Sequence, residues 1–232
     1  MPPSQVVHEE DEVGEVEGEP FVHLHDKISY RTMRAITFEP MSYQRMTHVQ
    51  HAVLPMLPDL VKPLVKRPDG TLVEPKGPRD LMVRAKTGTG KTLAFLVPAV
   101  EGRLMAIKQA GREAKAIAGE AAHQKMIHDA EREFANTHAG VIILSPTREL
   151  AKQIAVEAEK LVGSHKFAVH QFIGGESKGW QIRKWKESRK DIIVATTGRL
   201  RDLMESEPEL MEPIRACKFV CLSCFFRSTA FS

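Results

Sequence analysis

Eight consecutive residues, Ala85-Lys86-Thr87-Gly88-Thr89-Gly90-Lys91-Thr92, carry the chemistry of a phosphate cradle. Glycines at 88 and 90 let a backbone curl without Cβ clashes, so that its N–H groups turn toward anionic oxygens. Lys91 is a point charge long enough to reach the β- and γ-phosphates of a nucleoside triphosphate, and the Thr92 hydroxyl is a ligand for Mg²⁺. Ala85 stands where such loops usually carry their first glycine. All eight residues are candidate nucleotide contacts, with Lys91 and Thr92 in the catalytic roles and Thr92 on the metal.

A cradle of this kind needs a strand before it and a helix after it. Leu81–Arg84 reads as the strand, and the apolar run Leu93–Val100 as the helix whose positive end faces the phosphates. Three more segments close strand-like runs. Pro146-Thr147-Arg148-Glu149-Leu150-Ala151 follows Val141–Leu144, Gly174-Gly175 follows Phe167–Ile173, and Thr196-Thr197-Gly198-Arg199-Leu200 follows Asp191–Ala195. The spacing predicts a helix over Arg148–Val162, with Leu150, Ile154, Ala158 and Leu161 on one face and Gly163 as its stop. Strands alternating with helices give an α/β fold with a parallel sheet, and such sheets bind ligands outside the carboxyl ends of their strands.

Other stretches set the organisation. Residues 1–20 hold seven acids and no Lys or Arg, and read as a disordered acidic tail. From Phe21 to Leu57 mixed helical spacing suggests short helices. Residues 61–79, with the turn Arg67-Pro68-Asp69-Gly70, look like an exposed hairpin or insertion. Residues 102–138, with ten alanines between Ala106 and Ala139, read as a solvated helical insertion, with a nucleic-acid-contacting arm as the alternative. Trp180 and Trp185 invite a base-stacking role, although packing of an amphipathic helix is the commoner use of such residues.

Taken together and in this order, the Ala-led phosphate loop, the three post-strand segments and the upstream Thr47-His48-Val49-Gln50 resemble the first RecA-like domain of DEAD-box RNA helicases. The resemblance spans about residues 21–220 and looks closest to the fungal branch that assists intron splicing in mitochondria. It implies ATP and Mg²⁺ as cofactors, with Gln50 reading adenine; a side-chain amide both donates and accepts, as the adenine edge requires. It implies that Thr147, Arg148, Gly175, Thr196, Gly198 and Arg199 face the RNA backbone, so that binding is sequence-independent. For Arg148 the competing role is an ion pair with a neighbouring acid. The family shows proline at the positions of His48 and Thr197. Its adenine-packing aromatic falls in register on Leu24, with Phe21 three residues away.

The resemblance also implies an Asp-Glu-Ala-Asp tetrad after the next buried strand, Phe219–Leu222. The chain instead continues Ser223-Cys224-Phe225-Phe226 and has no Asp or Glu from Pro213 to Ser232. The expectation is a RecA-like P-loop domain incomplete at its C-terminus, with residues 221–232 an aberrant tail left by truncation. By family it is an ATP-dependent RNA helicase; as written it lacks the carboxylates and partner domain that hydrolysis and unwinding need. The alternatives are a non-catalytic nucleotide- or RNA-binding remnant, or a P-loop module that docks on a protein partner. Cys217, Cys221 and Cys224 have the spacing of an iron–sulfur triad, but too little chain follows them to enclose a cluster, and zinc needs a fourth ligand. An accidental tail is the simpler reading.

Composition agrees. The 232 residues have 42% hydrophobic and 27% charged content, which excludes global disorder and collagen-like repeats. Without its seven acid-only tail charges the chain keeps twenty-three acids against thirty-three bases, a net charge of +10 over residues 21–232 that suits a polyanion partner. No apolar run approaches the roughly 18 residues of a membrane span. A monomer in an intracellular, reducing compartment is expected, with mitochondrion suggested by the family branch and nucleus or cytoplasm as alternatives.

Overall fold

Val141, Ile192 and Phe219 each open an apolar run, and these three, with the mixed segment that starts at Val169, become the four parallel strands of one sheet. A computed structural model of the chain describes residues 5–8, 18–63, 65–66, 71–73 and 80–223. In chain order the described elements are β1 (Gln5–His8), α1 (Tyr30–Thr37), α2 (His48–Val53), β2 (Val65–Lys66), β3 (Leu72–Val73), β4 (Leu81–Arg84), α3 (Lys91–Ala118), α4 (Gln124–Thr137), β5 (Val141–Ser145), α5 (Arg148–Val162), β6 (Val169–Phe172), α6 (Lys178–Glu187), β7 (Ile192–Thr196), α7 (Thr197–Ser206), α8 (Met211–Arg215) and β8 (Phe219–Leu222). Short 3₁₀ turns separate several of them, including Phe21–Leu24 and Gly163–His165. The fold is α/β. Two compact units are distinguished: one takes the described residues up to Arg132 with Glu157–Lys166, the other Glu133–Val156 with the described residues from Phe167 onward.

In the second unit the strand order is β6-β7-β5-β8, every neighbour parallel. Ile142 lies opposite Ile193, and Ser145 opposite Thr196. β5 and β7 are covered on both faces, which explains their unbroken apolar sequences. The β8 edge alternates half-buried and exposed residues, leaving Val220 and Leu222 in solvent. One core joins Ile142, Phe172, Ile193 and Ala195 of the sheet to Trp185 of α6, Leu203 of α7 and Ile214 of α8. Asp191, buried just before β7, accepts a fork from Arg189 Nε and Nη2 at 2.8 and 3.0 Å, and a bond from the Ala168 N–H at 3.0 Å. The bond from Ala168 ties the start of β6 to that of β7, and the charge-assisted fork holds Asp191 in place for it.

In the first unit β4 pairs in parallel with β1, Gln5 opposite Leu81 and His8 opposite Arg84. Among the described residues these two strands form a sheet of their own. The apolar stripe of α3 (Leu93, Leu96, Val97, Val100) is buried, as are Val49 and Val53 of α2, which packs on α3. Polar groups are matched inside this core. Glu101 of α3 accepts from Ser29 Oγ at 2.9 Å and from Thr32 Oγ1 at 2.5 Å, and His165 Nε2 bonds Thr32 Oγ1 at 3.0 Å. Since the threonine hydroxyl donates to Glu101, His165 is the donor to it and is neutral. Burial, with Arg31 nearby, lowers its pKa to about 4.

Several boundaries moved by one or two residues. β6 covers Val169–Phe172 rather than Phe167–Ile173, and β7 runs Ile192–Thr196, because buried Asp191 is used by its side chain before the ladder begins. The helix Arg148–Val162 ends where Gly163 begins a 3₁₀ turn. Residues 102–138 are helical through the second part of α3 and through α4, where Gly111 lies so close to α4 that a Cβ there would stand 2.8 Å from Glu131 Oε1. β2 and β3 pair antiparallel, Val65 opposite Val73, and the turn Arg67–Gly70 between them lies outside the described residues. Most of the acidic stretch 1–20 also lies outside them, as do Cys224 and the rest of the terminal tail.

Candidate functional site

The phosphate loop leaves β4 at Ala85 and becomes α3 at Lys91. Gly88 and Gly90 have φ of +85° and +79°, the left-handed region that disfavours a side chain. Gly90 is the N-cap of the 28-residue α3, so the positive end of a long helix opens into the loop. The Lys91 ammonium donates to the Ala85 carbonyl at 2.6 Å and to the Lys86 carbonyl, and Thr89 Oγ1 donates to the Lys86 carbonyl at 2.8 Å. Lys91 is thus held over the mouth of its own loop. Thr92 sits in the first turn of α3.

Gln50 reaches this loop from α2. Thr47 caps α2, its hydroxyl accepting the Gln50 N–H at 3.3 Å while Gln50 Oε1 accepts the Thr47 N–H at 2.9 Å. This capping box fixes the glutamine side chain, and its Nε2 donates to the Gly90 carbonyl at 3.2 Å. A Cβ at Gly90 would lie 2.5 Å from that nitrogen and 2.9 Å from Thr47 Oγ1, so only glycine allows the approach. An amide nitrogen has two hydrogens and an amide oxygen two lone pairs, which leaves one donor and one acceptor for a ligand. Phe21 and Leu24, the two positions considered for an adenine-packing side chain, are 0% and 2% exposed and belong to the core.

The residues present fit a triphosphate: two left-handed glycines, a long helix start, an amine and a threonine hydroxyl in one loop. For Mg²⁺ they offer Thr92 alone, since no group of three or more His, Cys, Asp or Glu side chains with metal-site geometry exists among the described residues. The same observation covers Cys217 and Cys221. Cys217 Sγ instead donates to the carbonyls of Gly140 and Phe219 at 3.3 and 3.2 Å.

In the second unit three segments gather at one edge, because β5, β6 and β7 are adjacent and parallel and each segment follows a C-terminal end. Thr147 Oγ1 accepts the Leu150 N–H at 3.2 Å and so caps α5. The Arg148 guanidinium lies on the Gly174–Gly175 turn: a Cβ on Gly175 (φ +83°) would stand 2.7 Å from its Nη1. Among the described residues Arg148 makes no ion pair. Thr196 occupies the N-cap position of α7 without a side-chain capping bond, and Gly198 is exposed in its first turn. Arg199 is placed differently. Its Nη1 and Nη2 donate to the Glu176 carbonyl at 3.2 and 3.3 Å, Nη1 also to Gln181 Oε1 at 3.0 Å, and its side chain is only 14% exposed. Gln181 in turn donates to the Ile173 carbonyl at 3.0 Å. Gln181 and Glu176, which no motif flagged, therefore hold Arg199 and the Gly175 turn together; the one available signal was a glutamine on an otherwise basic helix.

A parallel sheet with ligand-type loops at its carboxyl edge, together with a glycine-rich phosphate loop capping a long helix, defines a RecA-like nucleotide-binding domain. The chain belongs to the DEAD/DEAH box helicase family, which it matches over residues 71–222. It is 32% identical over 196 residues to DEAD-box ATP-dependent RNA helicase 25 of Oryza sativa subsp. japonica, covering 84% of this chain and 26% of that protein. It is 36% identical over 172 residues to the mitochondrial ATP-dependent RNA helicase cyt-19 of Neurospora crassa, covering 74% of this chain and 22% of that protein. The chain thus spans about a quarter of the length of the curated relatives it matches. The fold is shared with the DEAD-box helicase Mss116 bound to ssRNA and UDP-BeF (TM-score 0.59, 20% identity, 97% of this chain and 43% of that one). A second Mss116 structure, bound to ssRNA and AMP-PNP, gives a TM-score of 0.60 at 22% identity, with the same coverage.

Proposed function

We propose that this chain is the ATP-binding N-terminal domain of a DEAD-box RNA helicase, and that it holds ATP in Ala85–Thr92 and the RNA backbone along the carboxyl edge of its sheet. The observation that carries the proposal is the junction of Gln50 with Gly90, which joins a base-reading amide to a phosphate loop at 3.2 Å. Ala85, Lys86, Thr87, Gly88, Thr89 and Gly90 supply backbone N–H donors to the phosphates. Lys91 would exchange the Ala85 and Lys86 carbonyls for the β- and γ-phosphates, and Thr92 would hold Mg²⁺. The free donor and acceptor of Gln50 select adenine over guanine, whose edge presents the opposite pattern.

On the RNA side Arg148 carries the charge, with Thr147, Gly175, Thr196 and Gly198 offering hydroxyl and backbone groups that bind phosphate without a base code. Arg199 acts by shaping the Gly175 turn as well as by its field. The parent protein unwinds short duplexes by local strand separation coupled to ATP binding. It works as a monomer, with the mitochondrion the favoured compartment on the fungal likeness and the nucleus or cytoplasm as alternatives. No described helix is long and apolar enough to cross a membrane.

The 232 residues by themselves bind rather than turn over. No Asp or Glu side chain lies between Pro213 and Ser232 to organise Mg²⁺ and orient the attacking water. Equilibrium displacement by ATP and GTP tests the site: ATP should compete better, and equal competition removes the role of Gln50. Phosphate release with RNA, ATP and Mg²⁺ should match a Lys91→Ala control; clear RNA-dependent turnover above it would mean that another carboxylate serves.

A further inference from the structure

The two tryptophans of α6 have opposite fates. Trp185 is 2% exposed in the core beside Phe172, while Trp180 is 46% exposed and lines an open groove of about 530 Å³ with Arg183, Lys184, Glu187 and Ser188. Trp180 is therefore not explained by packing. A large apolar ring held at the surface is usually a contact surface when its surroundings are arranged for one particular ligand.

Here the surroundings are cationic and fixed. Lys184 Nζ donates to the Val169 carbonyl at 3.1 Å and stands 5.4 Å from the centre of the Trp180 ring. Two other cations of α6 are taken up by acids, Lys178 by Asp202 at 3.0 Å and Lys186 by Glu209 at 2.5 Å. Arg183 is exposed and has no hydrogen-bond or ion-pair partner among the described residues. Ser177 caps α6 by accepting the backbone N–H of Trp180 at 3.3 Å, which fixes the start of the helix that carries the ring. Glu187, two helical turns after Trp180, is the single acid of the groove.

We propose that this groove is an accessory site for single-stranded RNA, in which an unpaired base stacks on Trp180 and the adjoining phosphate is held by Arg183, with Lys184 adding charge beneath. A flat ring with a free guanidinium three residues along the helix is the combination that binds single strands without reading their sequence. An acidic protein segment would use the cations but has no need of the ring. The choice of RNA rests on the functional reading above. The site is separate from the strand-end loops, although α6 also holds Arg199 through Gln181.

The test uses the 232-residue chain and a 5-iodouridine-substituted oligo(U), irradiated and mapped by peptide mass spectrometry, beside titrations at several salt concentrations. A cross-link on Trp180 is expected. Trp180→Leu should weaken binding by roughly five- to thirty-fold, the loss of one stacked base, while Trp180→Phe keeps most of the affinity. Arg183→Ala should lower the salt slope by about one phosphate contact. RNA binding with cross-links only at the strand-end loops, and unchanged in Trp180→Leu, overturns this proposal and leaves the strand-end site standing. No binding of oligo(U) at all overturns both. Displacement of the oligomer by polyglutamate as effectively as by unlabelled oligo(U) also overturns it, in favour of an acidic protein partner.

Discussion

At the phosphate loop the groups offered to a ligand are mainly backbone donors, fixed by two left-handed glycines and by a glutamine wedged against Gly90. At the carboxyl edge of the sheet they are mainly two arginine side chains, and these are attached very differently. Arg148 rests on the Gly174–Gly175 turn without an ion pair, whereas Arg199 already satisfies the Glu176 carbonyl and Gln181. A backbone site is all-or-none, because one misplaced residue spoils every donor. A side-chain site is graded, because each charge contributes separately and is screened by salt.

The largest effect should come from Lys91→Ala. Loss of a charge that pairs with a desolvated phosphate should weaken nucleotide binding on the order of 10²-fold. Single-stranded RNA affinity measured without nucleotide should change less than about two-fold, because the phosphate contacts proposed for RNA are assigned to Arg148 and its neighbours and not to Lys91. Equal losses of ATP and RNA affinity would break the comparison by showing that the two regions act as one site.

Gly90→Ala sharpens it. The left-handed φ costs an alanine about 1–2 kcal/mol, and its Cβ would press on Gln50 Nε2 at 2.5 Å. ATP affinity should fall by roughly ten-fold and the thermal midpoint should drop, while Gly88→Ala, which meets no atom within 4 Å, shows only the backbone effect. Identical behaviour of the two variants would mean that the wedge between Gln50 and Gly90 is not what shapes the loop.

A third pair of variants separates the arginines. Arg148→Ala should weaken RNA binding by roughly three- to ten-fold and reduce the salt slope by about one, with the melting temperature unchanged. Arg199→Ala should lose about 1–2 kcal/mol of stability instead, because the Glu176 carbonyl and the Gln181 amide oxygen are left without their donor. A pure binding defect in Arg199→Ala would return it to the role that the family pattern suggested.

This contrast marks what the amino-acid pattern could reveal. The phosphate loop was legible because its chemistry is local: glycines, lysine and threonine act within eight residues, and the flanking strand and helix announce themselves by apolar spacing. β5 to β7 and α5 were legible for the same reason, whereas β8 was placed by resemblance alone, as a buried strand, and is instead a half-exposed edge. Gln50 was legible by resemblance only, since its approach to Gly90 is a tertiary contact forty residues apart. The attachment of Arg199 was not legible, because it depends on where the Glu176 carbonyl points after a left-handed glycine. Nor was β1, whose acidic surroundings favour disorder by composition although Gln5–His8 pairs with the strand of the phosphate loop. The different fates of Trp180 and Trp185 follow from α6 phase against β6, which five residues of sequence do not define.

The smallest expected effect is acid sensitivity, and it should be shared between the regions. Each unit contains one buried neutral histidine, His165 in the first and His170 in the second. His170 Nε2 donates to the Arg189 carbonyl at 2.7 Å, and its other nitrogen is buried without a partner against Trp185, ring centres 4.9 Å apart. Burial lowers its pKa from 6.5 to about 4, against a smaller upward pull from the Arg189 carbonyl; Lys184 and Lys190 push the same way as burial, and Asp191 opposes them. Between these values the unfolded chain binds more protons, so stability is full above pH 6.5, falls as the pH drops, and levels off below about 4. Near pH 5.5 each histidine should account for about 1 kcal/mol of the loss relative to neutral pH. His170→Gln keeps a donor for the Arg189 carbonyl and cannot titrate, so urea melts at the two pH values should show the acid penalty reduced by about half. An undiminished penalty in that variant would place the acid-sensitive group in the first unit alone, with His165 and its Thr32–Glu101 network.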